Sequence, residues 1–164
     1  MPDLEWLDGY SGQTVDQLLA LDGRCRVDSL VLAFEEALGQ KVARSGEGSL
    51  SSEERIVLAI EALEREVNNG GFGQFFENSS REFAPIIVQA LERIGCPRTA
   101  EIAPEAIDAL HLPKLTVDAI EASINNTESD DDLNRCDESY MQAGEDIAGR
   151  LFAFIKTNKT AIAI

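Results

Sequence analysis

A lone histidine, a glycine cluster and a run of carboxylates are the residues whose types could support chemistry, and each points to a different one. His111, the single histidine, stands in Leu110-His111-Leu112-Pro113 at the expected end of a helix. A catalytic imidazole needs a nucleophile and an orienting third group. No G-x-S-x-G, H-E-x-x-H or Walker loop supplies such a setting, so His111 reads as a half-buried or carbonyl-capping imidazole. Gly70-Gly71-Phe72-Gly73 could cradle a phosphate, but it has no lysine and no preceding strand, which leaves helix termination as its reading. Asn126 to Glu138 could suggest calcium. With Asn126, Glu128 and Asp130 as the first alternating ligands, Asp131 falls where the loop needs glycine and Asp137 where it needs a bidentate glutamate. Cys25, Cys96 and Cys136 are far apart and in no C-x-x-C or Cys/His spacing, so neither a disulfide framework nor a zinc site is expected. No catalytic residue, cofactor or metal follows from these patterns.

The charge is more informative. The 164 residues carry 30 Asp and Glu against 14 Lys and Arg, a net charge of −16. Phosphate contacts require clustered basic residues, so direct binding to nucleic acid or to an anionic membrane is disfavoured and a basic protein partner is expected. Between Thr116 and Asp146 ten carboxylates face only Arg135, a local charge of −9. They include Asp118, Glu121, Glu128, Asp130, Asp131, Asp132, Asp137 and Glu138. Glu101, Glu105 and Asp108 add a second stripe at helical spacing. Like charges four apart destabilise a helix by a few tenths of a kcal/mol each, so the pattern is either a solvated surface or a surface kept for binding. Duplex DNA carries one charge per about 1.7 Å, and carboxylates one helical turn apart lie about 6 Å from each other, near the spacing of successive phosphates. An acidic helical face can therefore imitate DNA.

The elements that must position these groups are helices. Val27, Leu30, Val31, Phe34 and Leu38 share one face, as do Ile56, Ile60, Leu63 and Val67. Ser51 and Glu54 form a capping box at the start of the second of these, and Asn68-Asn69-Gly70-Gly71 ends it. A helix from about Glu82 stops at Gly95-Cys96-Pro97, and shorter ones are expected over Arg98 to Leu110 and Leu115 to Ile124. The last begins near Asp131 and carries Cys136, Tyr140, Ala143, Ile147, Leu151 and Ile155 on one stripe for about five turns. Ala43 to Ser49 and Asn125 to Asp132 read as loops. Period-two alternation is absent, so the expected fold is all-α, a single multi-helix domain of about seven or eight helices over 1–164. The N-terminus lacks the basic and apolar regions of a secretion signal and no apolar run reaches membrane-spanning length. A cytoplasmic protein is expected, and the N-x-S/T matches at Asn78, Asn125 and Asn158 are then chance.

Leu63-Glu64-Arg65-Glu66-Val67-Asn68-Asn69-Gly70-Gly71-Phe72-Gly73-Gln74-Phe75-Phe76-Glu77-Asn78 resembles the E-x-E-V-N-N-G-G-F-x-Q-F-F-x-N signature of the bacterial DNA-mimic protein family. The likeness extends upstream through Val31 to Leu38 and downstream through Ala90 to Gly95, Leu133, Asp137 to Tyr140 and Glu145 to Ile147. It implies an all-helical, often dimeric protein without known catalysis, whose acidic surface binds DNA-binding proteins such as transcription regulators in place of DNA. Relatives also look like immunity proteins of toxin systems, which leaves an inhibitor that plugs a toxin as the alternative. Within the signature, Phe72, Phe75 and Phe76 read as a core stripe. Asn68, Asn69, Gln74 and Asn78 read as caps and cross-links of helix ends. A polar pocket for a small ligand is the other reading of those amides. The expected partner-binding residues are Glu101, Glu105, Asp108 and the carboxylates from Asp118 to Glu138, none of which belongs to the signature.

Overall fold

In a computed structural model, which describes residues 3–164, the chain forms eight α-helices and no strand among the described residues. Two compact units account for its contacts. One comprises Met1–Glu61 with Asp146–Ile164, the other Ala62–Glu145.

The first unit holds α1 (Val15–Leu19), α2 (Val27–Ser45), the opening turns of α3 (Ser52–Glu77) and α8 (Ile147–Thr157). The expected apolar stripe of α2 is inside: Leu30, Val31, Phe34 and Leu38 are buried, and α2 packs against α8, whose Leu151, Phe152 and Ile155 are buried too. Helix α2 runs on through Ala43–Ser45, where a loop was expected, and stops at Gly46, whose φ of 81° only glycine adopts freely. Ser51 and Glu54 form the expected box. The Ser51 N–H donates to Glu54 Oε1 at 2.7 Å and the Glu54 N–H to Ser51 Oγ at 3.1 Å. The same carboxylate also accepts from Lys41 Nζ at 2.8 Å and from the Ala163 N–H at 3.2 Å. Ser51 Oγ donates to the Ala161 carbonyl at 2.7 Å, so one capping box also fastens the chain beyond α8.

The second unit holds the rest of α3, α4 (Ala84–Arg93), α5 (Pro97–Asp108), α6 (Val117–Ser123) and α7 (Asp130–Gln142). Helix α4 ends on Gly95 at φ 83°, and the Cys96 N–H reaches back to the Leu91 carbonyl at 2.9 Å, which satisfies an end carbonyl. Pro97 then opens α5 without losing a bond, since the first helical N–H has no partner anyway. The next two amides of α5 donate to Glu145, Thr99 N–H at 2.6 Å and Arg98 N–H at 3.2 Å. At the other end Ser129 Oγ donates to the Ala109 carbonyl at 2.7 Å. Contacts at both ends, in opposite chain order, make α5 and α7 antiparallel neighbours. Glu145→Ala should lower stability by about 1 to 2 kcal/mol through loss of this cap, measured by urea unfolding.

The expected five-turn final helix is two helices. Gly144 at φ 68° interrupts it, and Asp146 caps α8 by accepting from the Gly149 N–H at 3.0 Å. The apolar spacing continues across the interruption, which is why periodicity alone joined the two pieces. The connection from Asn125 is also more ordered than a loop: a 3-10 turn spans Thr127–Ser129, and α7 begins at Asp130.

Candidate functional site

The signature residues build a break in α3 and everything that holds it. Gly70 and Gly71 leave helical geometry, Gly71 with φ 78° and ψ −177°, and the helix resumes at Phe72. The break deprives the Phe72 N–H of a carbonyl in its own helix, and Asp137 of α7 accepts it at 2.7 Å. Burial pushes the Asp137 carboxyl above the ordinary aspartate range, with the Phe72 amide pulling the other way. A Cβ on Gly71 would lie 2.2 Å from Asp137 Oδ2, so only glycine lets α7 approach this closely. Phe72, Phe75 and Phe76 are buried as expected, and the Tyr140 ring meets Phe72 edge-on with centroids 5.8 Å apart. The Tyr140 hydroxyl donates to the Glu64 carboxylate.

The amides are engaged internally. Asn68 donates to the Glu64 carbonyl at 2.7 Å, and Asn69 to Gln74 Oε1 at 3.3 Å. Gln74 and Asn78 both donate to Glu66 Oε2, at 2.6 and 2.9 Å. Glu66 is only 8 % exposed, and these two donors satisfy a carboxylate that would otherwise be costly to bury. The signature amides thus hydrogen-bond around the helix break.

The acidic residues divide into three groups. Glu105 and Asp108 of α5 and Asp132 of α7 line one open groove of about 500 Å³, together with Ala109, His111, Arg135, Cys136 and Ser139. Glu101, Asp118, Glu121, Glu128, Asp130, Asp131 and Glu138 are exposed but not part of its walls; Glu121 lies 3.8 Å from Arg81. Asp130 and Asp131 share the first turn of α7 with Asp132, where negative charge favours the helix end. Asp137 departs from the expected surface: it is half-buried and its carboxylate is occupied by Phe72. Asp132 pairs with Arg135 one turn on.

Nothing in the sequence marks the other groove residues as parts of one wall. His111 adopts φ 51°, a left-handed conformation at the end of α5, and stands exposed at the groove. Cys136 is 6 % exposed; burial, with Glu105 and Asp137 nearby, pushes its thiol up against the opposing pull of Arg135, so it is a poor nucleophile. Among the described residues no three His, Cys, Asp or Glu side chains stand in a position to share a metal ion. No helix among them is long and apolar enough to cross a membrane.

A family model described as DMP19-like protein matches residues 48–158. The chain belongs to the DMP19-like family. The DMP19-like match takes in the α3 break, both helices that wall the acidic groove and the Asp137 contact between α7 and α3. Comparison with curated proteins and with solved structures gave no match.

Proposed function

We propose that this DMP19-like protein is a non-enzymatic interaction protein that occupies the DNA-binding surface of a basic nucleic-acid-binding protein, such as a transcription regulator. The observation that carries this reading is the α5–α7 groove, where carboxylates from two helices, Glu105 and Asp108 on one and Asp132 on the other, line a common concavity. Sequence distance alone would not bring them there. A guanidinium or ammonium group entering the groove meets Glu105 and Asp108 on the α5 bank and competes with Arg135 for Asp132 on the α7 bank, and carboxylates bind arginine through paired hydrogen bonds as phosphates do. Glu101, Asp130, Asp131 and Glu138 extend the negative surface beyond the groove for longer-range attraction. Residence in the cytoplasm with such a partner belongs to this reading, and a homodimer would lengthen the charged face.

The test is capture of partners from the source cell by the wild-type chain and by the triple variant Glu105→Gln, Asp108→Asn, Asp132→Asn. Basic nucleic-acid-binding proteins should be retained at about 50 mM salt and released near 500 mM, where the screening length falls to a few ångströms. The triple variant should bind them at least tenfold more weakly. A captured partner indifferent to salt and to the three substitutions, with a toxin as its identity, would instead favour the immunity-protein reading.

A further inference from the structure

We infer that Asp137 and Tyr140 are positioning residues, which dock the acidic helix α7 on the Gly70–Gly71 break and so set the width of the groove that α7 shares with α5. The inference rests on the interaction reading above. Residues three apart on a helix share a face. Asp137 takes the Phe72 amide at 2.7 Å, while Tyr140 packs edge-on against Phe72 and donates to Glu64. At 100° per residue, the groove residues Asp132, Arg135 and Ser139 lie roughly 140° around α7 from this anchoring face. The helix is thus held by one side and offers another. Asp132 stands five residues before Asp137, about 7.5 Å along the axis, so a shift at the anchor is passed to the groove wall by a rigid element.

The arrangement gives Asp137 a role opposite to the one its place in the acidic run suggests. A carboxylate that met the partner would have to be charged and exposed. Asp137 needs neither property, because what the Phe72 amide requires is an acceptor oxygen, and an asparagine Oδ1 supplies one. Charge and position can therefore be separated by substitution.

The experiment titrates a fluorescent nona-arginine peptide against the wild-type chain, Asp137→Asn, Asp137→Ala, Tyr140→Phe and the triple groove variant at low salt, and follows hydrogen exchange of the Phe72 amide in the same proteins. Asp137→Asn should bind within twofold of wild type and keep the Phe72 amide protected. Asp137→Ala should bind at least fivefold more weakly and exchange that amide at least tenfold faster, with unchanged helical circular dichroism. Tyr140→Phe keeps the ring and loses the bond to Glu64, and should weaken binding about twofold; it replaces Asp137→Ala as the test if the alanine variant fails to fold. Equal weakening by Asn and Ala would make Asp137 a direct contact and overturn the positioning role alone. Wild-type binding that is absent, or untouched by the triple groove variant, would overturn the interaction reading and with it the purpose of the anchor, whatever the exchange rates.

Discussion

Gly71→Ala should lower the unfolding free energy by about 3 to 5 kcal/mol, read as a shift of the urea midpoint. Two costs add. The native φ of 78° with ψ −177° is a region open essentially to glycine alone, and forcing a side chain into such a region costs about 1 to 3 kcal/mol. The new Cβ would also stand 2.2 Å from Asp137 Oδ2 and 2.7 Å from its Cγ. Since that carboxylate holds the Phe72 amide, relief means moving α7 or breaking the bond, at a further 1 to 3 kcal/mol or so. Gly70→Ala supplies the comparison. Its φ of −151° carries no left-handed strain, and the nearest atoms a Cβ would strike, Gln74 Oε1 at 2.0 Å and Cδ at 2.8 Å, are the end of a flexible side chain, with the Gln74 Cβ a tight 3.0 Å away. Loss of about 1 to 2 kcal/mol is expected there, from the Gln74 hydrogen bonds. At Gly73 nothing lies within 4 Å, and alanine should gain up to about 1 kcal/mol from helix propensity. Similar losses at Gly70 and Gly71 would show that the close approach of α7 does not set the cost.

Glu54→Ala should be comparably damaging in the other unit. Glu54 is 1 % exposed, and Lys41 Nζ lies 3.0 and 2.8 Å from its two oxygens. Removing one member of a buried pair costs about 3 to 5 kcal/mol, and here Lys41 Nζ would keep only the Ala163 carbonyl, at 2.9 Å. The Ser51 and Ala163 amides lose their acceptor in the same step. Burial by itself would push the Glu54 carboxyl up; Lys41 with the Ser51 and Ala163 amides overcomes it and holds the group below the ordinary glutamate range. The sign of the pH dependence follows. The unfolded chain then binds more protons than the folded one between the lowered native value and about 4.3. Stability from Glu54 is present above that window and is lost as pH falls through it. Glu54→Gln should therefore be less stable at pH 7 and lose stability less steeply as pH falls below about 4.3. An unchanged acid limb in Glu54→Gln would show that other carboxylates govern acid unfolding.

What could be read from the sequence was local. The Ser51–Glu54 box, the glycine stops at Gly71 and Gly95 and the proline start at Pro97 involve neighbours within a few residues, so residue type alone carries the signal. The division between α7 and α8 carried its signals too, in Gly144 and Asp146, but an apolar stripe that kept its spacing outweighed them. The candidate site was legible only in pieces. Glu105 and Asp108 were visible as one helical stripe and Asp132 as part of an acidic run, yet their meeting depends on the antiparallel packing of α5 on α7. Asp137 is the clearest case of what sequence hides. Its partner Phe72 is 65 positions away and uses a backbone amide, which leaves no trace in residue type.

The Gly70–Gly71 break also shifts the phase of α3. Counting on from Val67, an unbroken helix would turn positions 71, 74 and 75 inward, which are Gly71, Gln74 and Phe75. The chain instead buries Phe72, Phe75 and Phe76, one position later along the same stripe. Two glycines thus act as a frameshift written into a single element, worth about 100° of rotation. Loss of one glycine with the helix made continuous would slide the aromatic set back into frame and set Gln74 and Asn78 seven and eleven positions beyond Glu66, about 10 and 16 Å along a straight axis, so the pair counts by its length as well as by its flexibility.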